Sequence, residues 1–181
     1  MNQIYRDKFI QNIKPLFKTY KQSQIDGIHY LLDFLCPENI ITPLDKRQIA
    51  YIFATVLHET GATMQPIEEY GKGKGKPYGL PSENGKIHYG RGYVQLTLGH
   101  NYKKVGDILG LDLYNNPDLV MAGEISATIL IRGMMEGWFT GKKLSDYFNE
   151  KTDWINARRV INGTDKTDTI TTYAQFIYKQ L

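Results

Sequence analysis

Ile-Ala-Tyr-Ile-Phe-Ala-Thr-Val-Leu-His-Glu-Thr-Gly, residues 49–61, is an apolar run that ends in an acidic side chain. Five apolar residues recur in it at helical spacing, and they are Ile49, Ile52, Phe53, Val56 and Leu57. Glu59 lies three residues after Val56 and therefore projects at the edge of this apolar face. Gly61 follows it and is a typical helix terminator. The segment predicts a buried helix that ends by presenting a partly desolvated carboxyl group.

Signals for further helices precede and follow this segment. Thr42 is the expected N-cap of the buried helix, with Pro43 at its first position and Asp45 in its first turn. Ser23 is expected to open an earlier helix through a capping box, and Pro15 to kink or split the helix before that. Helical patterns resume at residues 101–109, 122–135, 153–161 and 167–179. The sequence therefore predicts a mainly α fold.

Between residues 61 and 97 the helical pattern stops, and glycine and proline punctuate the chain. Asn84-Gly85 is a hairpin turn signal, and residues 87–89 are predicted to form a short return strand. A long irregular segment inside a compact domain is usually functional. We therefore expect an α+β domain of two lobes, with a small β-hairpin and a central substrate cleft.

The composition is that of an ordinary globular protein, with 181 residues, 41% of them apolar and 23% charged. The net charge of +3 suits approach to an anionic polymer and is far from a nucleic-acid-binding signature. No apolar run reaches the roughly 18 residues of a membrane span, and no secretory signal is recognisable. Cys36 is the only cysteine, which excludes an intramolecular disulfide and a cysteine-based metal site.

Acidic side chains recur after the buried helix, because Glu68 and Glu69 follow Glu59 on the irregular segment. Two carboxyl groups that flank a glycosidic bond can cleave it, one by protonating the leaving oxygen and the other by acting on water. Residues 89–97, Tyr-Gly-Arg-Gly-Tyr-Val-Gln-Leu-Thr, add the hydroxyl and amide groups that hold sugars. The zinc-protease motif HExxH fails at Ala62, so no metal and no cofactor is expected.

Two glycine-rich stretches allow more than one interpretation. Gly90-Arg91-Gly92 is not followed by the lysine of a phosphate loop, and Arg91 is interpreted as an internal anchor rather than a substrate ligand. Lys72, Lys74 and Lys76 alternate with glycines. They form either a solvated flexible loop or a mobile rim that attracts carboxylates or phosphates.

The chain resembles glycoside hydrolase family 19, the plant-type chitinases and related phage endolysins, most closely the single-domain endolysin branch. The resemblance runs from about Ile49 to Phe176 and rests on motifs in the same order, at residues 54–60, 64–69, 89–97, 101–102, 137–141 and 157–163. It implies a lysozyme-like fold and one catalytic domain over residues 1–181, with N-terminal helices in 1–42 and a catalytic core in 43–181.

The resemblance also implies roles for individual residues. Glu59 matches the general acid, Glu69 the general base, with Glu68 as the competing alignment. Thr97 matches the hydroxyl residue that positions the attacking water. The expected sugar-binding residues are His58, Glu68, Tyr89, Gln95, Asn101, Tyr102 and Asn162. The implied mechanism is single-step inversion, with the two carboxyl groups about 6.5–9.5 Å apart.

We expect an inverting endo-glycosidase that hydrolyses β-1,4 bonds between N-acetylated amino sugars of bacterial peptidoglycan. A chitinase acting on chitin or chitooligosaccharides is the alternative. The chain lacks the disulfide cysteines and several loops of the plant enzymes, which argues against a long chitin-binding groove. An alternative of another class is a non-catalytic cell-wall-binding module on a hydrolase scaffold. We further expect a monomer that binds neither nucleic acid nor membranes stably. It would be synthesised in the cytoplasm without a Sec signal and reach the cell wall through a pore or a secretion machine.

Overall fold

The computed structural model describes residues 3–35 and 44–181, so Cys36, Thr42 and Pro43 lie outside the described residues. Helices carry most of this part of the chain, and they are α1 (Gln3–Ile13), α2 (Gln22–Leu35), α3 (Lys46–Glu59), α4 (Gly99–Leu109), α5 (Gly123–Glu136) and α6 (Thr167–Tyr178). Two strands, β1 (Ile67–Glu68) and β2 (Arg91–Gly92), pair antiparallel. The predicted mainly α fold with a small antiparallel sheet is confirmed. In the two described ranges, no helix has the length and apolar character needed to cross a membrane.

Backbone contacts divide the chain into two compact units. The first comprises residues 1–64 and 131–181, and the second comprises residues 65–130. The boundary at residue 131 falls inside α5. The expected organisation, N-terminal helices in 1–42 and a catalytic core in 43–181, stays a prediction.

Helix α3 is the most buried helix of the first unit. Every residue from Ile49 to Leu57 is buried, so α3 is covered on all sides and not only along the predicted apolar face. Thr55 tolerates this burial because its hydroxyl donates to the Tyr51 carbonyl at 2.8 Å. Helix α6 packs against α3, and its buried residues are Ile170, Ala174 and Ile177. The helix that ends at Glu59 is thus held by core packing.

The start of α3 differs from the expected cap. The helix begins at Lys46, and Asp45, predicted in the first turn, is the N-cap residue instead. Its carboxylate accepts a hydrogen bond from the Arg47 backbone N–H at 2.7 Å, and the Gln48 side-chain oxygen accepts from the Asp45 backbone N–H. This is a capping box, which satisfies two of the amide groups that a helix start leaves unpaired.

The first two helices give one confirmed and one wrong expectation. Helix α1 ends at Ile13 and continues as a 3₁₀ turn over Lys14–Leu16, as the Pro15 prediction requires. Helix α2 begins at Gln22, so the expected capping box at Ser23 is wrong. Gln24 performs that role from inside the first turn, because its side-chain oxygen accepts from the Lys21 backbone N–H at 2.7 Å.

The second unit contains the sheet, and here the predicted strand is wrong. The Asn84-Gly85 turn exists, with a hydrogen bond from the Gly85 N–H to the Ser82 carbonyl. However, residues 87–89 form no strand, and the sheet instead pairs Ile67 with Gly92 and Glu68 with Arg91. The residues of this segment have other partners. The His88 carbonyl accepts from the Leu98 N–H, and the buried His88 ring bonds the Ser82 hydroxyl and the Tyr114 carbonyl, each at 2.8 Å.

The later helices lie close to their predicted bounds. Helices α4, α5 and α6 begin or end within two residues of the predicted 101–109, 122–135 and 167–179. The exception is residues 153–161, which contain only a 3₁₀ helix over Asn156–Val160. Asp153 contributes to this difference, because its carboxylate accepts from the backbone N–H and the side-chain amide of Asn156 and so favours a local turn.

Candidate active site

Glu59 is the last residue of α3, as predicted. The Arg158 guanidinium donates from Nη1 to Glu59 Oε1 at 2.8 Å. Arg158 is 4% exposed and Glu59 is 17% exposed, so this ion pair lies almost entirely out of water. Arg158 Nε donates in addition to the Asp165 carbonyl at 3.0 Å, which fixes the plane of the guanidinium. The carboxyl group of Glu59 therefore has a defined orientation in the first unit.

Sequence reasoning missed Arg158 as a site residue, although the segment 157–163 belongs to a quoted motif. The pair joins residues 99 positions apart, and Arg158 lies on a 3₁₀ helix with no apolar periodicity. The only signal in the sequence was the residue type, because an arginine that becomes buried needs a carboxylate or carbonyl partner.

The other expected residues of the first unit are His58 and Asn162. His58 precedes Glu59 in the last turn of α3 and is partly buried. Asn162 is exposed, and its side-chain oxygen accepts from the Gly163 N–H at 2.8 Å. Its own backbone N–H donates to the Arg158 carbonyl at 3.0 Å. Asn162 is thus tied through the backbone to the residue that holds Glu59.

Glu68 lies on β1 of the second unit, surrounded by cations and a phenol. Its Oε2 is 2.9 Å from Lys72 Nζ, and its Oε1 is 3.9 Å from Arg91 Nε. The Tyr89 hydroxyl donates to Oε1 as well. These hydrogen bonds, first from Tyr89 and then from Lys72, lower the pKa of Glu68 below its usual value. Glu68 is therefore an ionised carboxylate that remains 36% exposed.

Glu69 has neutral partners and is tied to the backbone of Gly90. Its N–H donates to the Gly90 carbonyl at 2.7 Å, and its Oε2 accepts from the Gly90 N–H at 3.1 Å. Its Oε1 accepts from the Tyr78 hydroxyl at 2.9 Å. Both carboxylate oxygens thus have protein donors. A Cβ on Gly90 would lie 2.7 Å from Gln95 Oε1 and 3.3 Å from Glu69 Cβ, so a larger residue here would displace the Gln95 amide.

Thr97 and Gln95 lie on a tight return after β2. Arg91 and Leu96 exchange two backbone hydrogen bonds, and the Leu98 N–H donates to the His88 carbonyl. Thr97 therefore lies opposite Tyr89 and Gly90 in the chain. Gln95 adopts a left-handed conformation with φ of 54°. Its side-chain amide donates to the carbonyls of Ile67 and Gly92, at 3.0 and 3.1 Å.

Asn101 and Tyr102 follow at the start of α4. The Asn101 amide donates to the Thr97 carbonyl at 2.9 Å, which braces the segment that carries Thr97. Tyr102 is fully buried, and its hydroxyl donates to the Tyr89 carbonyl at 2.7 Å. Burial raises the pKa of Tyr102 to about 12. Tyr102 is therefore a structural residue, and its expected contact with sugar is not supported by its position.

Arg91 is an internal anchor, as interpreted from the sequence. It is 4% exposed, it donates to the Ile87 carbonyl and the Tyr102 hydroxyl, and its guanidinium carbon lies 3.6 Å from the centre of the Tyr89 ring. Its Nε is 3.0 Å from Asp118 Oδ1 without the alignment of a hydrogen bond. Arg91 therefore orients Tyr89, which in turn bonds Glu68.

A groove of about 580 Å³ opens beside this cluster in the second unit. Its lining includes Tyr89 and Arg91 together with Lys86, Asn116 and Asp118. An aromatic ring beside amide and charged groups is the kind of surface on which sugar rings pack. In the described ranges, no three His, Cys, Asp or Glu side chains are close enough to hold a metal ion.

Comparison with known proteins supports one family. The sequence model of glycoside hydrolase family 19, described as Chitinase class I, matches residues 41–147, more than half of the chain. An endochitinase of Arabidopsis thaliana is 36% identical over 124 residues, which cover 65% of this chain and 42% of the relative. A protein of Hevea brasiliensis named inactive chitinase-like protein 1 is 38% identical over 95 residues, which cover 44% of this chain and 30% of the relative. The chain thus spans less than half the length of these curated relatives.

A solved structure shares the fold. Chitinase C of Streptomyces griseus superposes with a TM-score of 0.60 at 23% sequence identity, covering 97% of this chain and 91% of the other. At this identity the likeness shows the fold alone. The sequence match over residues 41–147 shows that the chain belongs to glycoside hydrolase family 19, a family of O-glycosyl hydrolases.

Proposed function

We propose that the protein hydrolyses β-1,4 bonds between N-acetylated amino sugars, with Glu59 as the general acid. The observation that carries this proposal is the Glu59–Arg158 pair at the end of α3. Arg158 occupies Oε1, and Oε2 has no hydrogen-bond partner in the described part of the chain. In the protonated state that a general acid requires, the proton would lie on Oε2 and pass to the glycosidic oxygen of the leaving sugar, while Arg158 stays bonded to Oε1 and holds the carboxyl plane.

The surroundings of the two neighbouring carboxylates favour Glu68 over Glu69 as the general base. A base must be ionised and reach water, and Glu68 has cationic partners and remains partly exposed. Glu69 is instead held by neutral donors, the Tyr78 hydroxyl and the Gly90 backbone N–H, which is the pattern of a residue that fixes the backbone. We therefore propose Glu68 as the base and Glu69 as the brace of Gly90, which reverses the order expected from the sequence.

Thr97 is proposed to help hold the attacking water. It lies opposite Tyr89 and Gly90, the residues bonded to Glu68 and Glu69, and the Asn101 amide fixes its carbonyl. In the inverting reaction, the base removes a proton from water as its oxygen attacks the anomeric carbon, and Glu59 gives its proton to the departing oxygen. His58, Tyr89, Gln95, Asn101 and Asn162 are proposed to contact the sugars.

The substrate we propose first is peptidoglycan, as an endolysin-like enzyme would require. Its peptide carboxylates suit a chain with a net charge of +3 and three lysines on the segment 71–76. Chitin is the second candidate, because the Arabidopsis relative is named an endochitinase. The name of the Hevea relative, inactive chitinase-like protein 1, supports a third candidate, a module that binds wall sugars without turnover.

Digestion of purified peptidoglycan and of chitin hexamer by wild-type protein and by Glu59→Gln would test the function. New reducing ends are reduced with borohydride and identified by mass spectrometry. We expect reduced muramic acid from wild-type protein and less than about a tenth of that yield from Glu59→Gln. Cleavage of the hexamer alone would establish the chitinase. Sugar binding without new ends would establish the non-catalytic module.

The remaining expectations are proposals of the same kind. We propose that the protein acts as a monomer at the cell wall, without binding nucleic acid or membranes stably. A cytoplasmic pool released through a pore or a secretion machine would deliver it there. Sedimentation at several protein concentrations tests the monomer, and fractionation of expressing cells tests the route.

A further inference from the structure

The segment from Tyr70 to Gly79 is built from repeated turns. Backbone hydrogen bonds run from Lys72 to Glu69, from Lys74 to Gly71, and from Lys76 to Gly73, at distances of 2.9–3.0 Å. Each bond closes a four-residue turn, and the turns repeat every two residues. Gly71, Gly73 and Gly75 have φ values of 84°, 76° and 78°, which favour glycine. We call residues 70–79 the glycine–lysine ribbon.

Close backbone contact joins the first half of the ribbon to its last residue. A Cβ on Gly79 would lie 1.9 Å from the Gly73 carbonyl oxygen, and a Cβ on Gly73 would lie 2.8 Å from the Gly79 Cα. Only two glycines allow this approach. Tyr78, next to Gly79, donates its hydroxyl to Glu69. The last part of the ribbon is thus held beside Glu69, the residue that precedes the ribbon. The backbone of the ribbon therefore sets the position of Lys72.

Lys72 is the lysine of the ribbon that faces Glu68. Its Nζ is 2.9 Å from Glu68 Oε2 and 5.6 Å from the centre of the Tyr89 ring. The second cation near Glu68, Arg91, is farther away at 3.9 Å and is engaged by Asp118 at 3.0 Å. Lys72 is therefore the only close cation of Glu68 among the described residues that lacks a competing carboxylate.

We propose that Lys72 is a positioning residue for Glu68, and that its ammonium group holds this carboxylate ionised and oriented for work on water. This inference rests on the proposed role of Glu68 as general base. The charged and titratable groups that face Glu68 are Lys72 on the ribbon, Tyr89 on the segment before β2, and Arg91 on β2. Asp118 pairs with Arg91, at 3.0 Å from its Nε.

The physical reason is that the two oxygens of the Glu68 carboxylate have different partners. Tyr89 and Arg91 are on the Oε1 side, and among the residues that the structure describes Lys72 alone holds Oε2. Without Lys72 the carboxylate can rotate about its terminal bond and is more easily protonated. The bonds from Lys72 and Tyr89 both lower the pKa of Glu68, so removal of Lys72 raises that pKa toward its usual value.

The test compares Lys72→Met, Lys72→Arg and Lys74→Met by their kcat/KM against pH. Lys74 is an exposed lysine of the same ribbon with no ion pair among the described residues, so Lys74→Met controls for net charge. We expect Lys72→Met to move the acid limb of the profile to higher pH. The ratio of kcat/KM at about pH 4.3, the ordinary pKa of Glu, to kcat/KM at neutral pH measures this shift. It should be about two- to fivefold lower in Lys72→Met than in wild type. Lys72→Arg should restore the profile, and Lys74→Met should leave the position of the acid limb unchanged, whatever its effect on the attraction of an anionic substrate.

A titration of Glu68 followed by carbon NMR of its carboxyl group gives a readout that does not depend on turnover. Its pKa should rise in Lys72→Met and not in Lys74→Met. An unchanged Glu68 titration and an unchanged acid limb in Lys72→Met would overturn the inference, as would equal shifts in both lysine variants. Glu68→Gln distinguishes failure of this inference from failure of the proposed role of Glu68. If that variant keeps its activity, the proposed base is wrong, whatever the Lys72 variants do.

Discussion

Arg158 and Glu59 form a nearly buried ion pair, with 2.8 Å between Nη1 and Oε1, although they are 99 residues apart in the chain. The arginine cannot move away without leaving its charge unpaired, because it is 4% exposed. Its second bond, from Nε to the Asp165 carbonyl, ties the segment after the 3₁₀ helix to the same group. The pair therefore fixes the orientation of the carboxyl group at the end of α3.

Glu59→Gln should abolish hydrolysis in a protein that still folds but is less stable, because the buried Arg158 loses its charged partner. The amide keeps an oxygen that accepts from Arg158 but has no acidic proton to give to the leaving oxygen. A general acid contributes about 10²–10⁴-fold, so kcat should fall by at least a hundredfold. Initial rates on peptidoglycan or chitin hexamer measure this, with the exposed Glu150→Gln as the matched control. Retention of more than about a tenth of wild-type activity would refute the role.

Arg158→Met should destabilise the protein strongly. It removes the partner of a carboxyl that is only 17% exposed and frees the Asp165 carbonyl. Breaking a buried pair from one side typically costs about 3 kcal/mol in the free energy of unfolding. Urea unfolding followed by circular dichroism measures the change. Arg159→Met, at the exposed neighbouring position, should change it by less than about 0.5 kcal/mol, and equal effects of the two variants would contradict the prediction.

Local patterns predicted the helices well. The apolar spacing before Glu59 and the terminator Gly61 located the end of α3, and Pro15 located the end of α1. These features depend on neighbouring residues, which the sequence shows directly. The cap at Asp45 was missed because a Thr-Pro pair three residues earlier is an equally good helix signal, and the choice between them depends on the bonds of Arg47.

Features that depend on distant residues were not predictable in the same way. The strands have two residues each and are set by the pairing of Glu68 with Arg91, not by alternation along the chain. The partner of Glu59 comes from a 3₁₀ helix 99 residues later. Glu68 and Glu69 are adjacent in sequence, so only their partners, Lys72 and Tyr89 for one and Gly90 and Tyr78 for the other, separate their chemistry.

Glu68→Gln and Glu69→Gln should have different consequences. Loss of the Glu68 charge removes the proposed base, so kcat should fall by at least about a hundredfold with little change in the melting temperature. Glu69→Gln keeps an acceptor for Tyr78 but places an amide against Gly90, so its main effect should be on stability, about 1 kcal/mol. Rates and thermal melts on both variants measure this. The reverse pattern, with Glu69→Gln inactive and Glu68→Gln active, would restore the alignment expected from the sequence.

Gly79→Ala should disrupt the glycine–lysine ribbon. The added Cβ would lie 1.9 Å from the Gly73 carbonyl oxygen, so the backbone must separate there. Gly75→Ala is the matched control, because a Cβ there meets nothing within 4 Å and only its φ of 78° is unfavourable. We expect Gly75→Ala to cost about 1 kcal/mol and Gly79→Ala clearly more. Amide exchange of residues 70–79 should accelerate in Gly79→Ala alone, and equal exchange in both variants would contradict this contact.

Asp45 should contribute a pH-dependent part of the stability through the cap of α3. Its bonds from the Arg47 side chain lower the pKa of its carboxyl in the folded protein. The unfolded chain then binds more protons than the folded one, so this contribution is present above the ordinary Asp pKa of about 3.9 and is lost as the pH falls through the folded value. The Asp45 side chain is 35% exposed and that of Arg47 is 21% exposed, which keeps the charge effect small.

Two substitutions separate the cap from the charge. Asp45→Ala removes the acceptor for the Arg47 N–H and should lower the free energy of unfolding by about 1 kcal/mol at neutral pH. Asp45→Asn keeps the acceptor and should lose less, and its stability should depend less on pH between about 5 and 3 than that of wild type. Urea unfolding across this range measures both. A difference between wild type and Asp45→Asn that grows as the pH falls would contradict the sign derived from the Arg47 bonds.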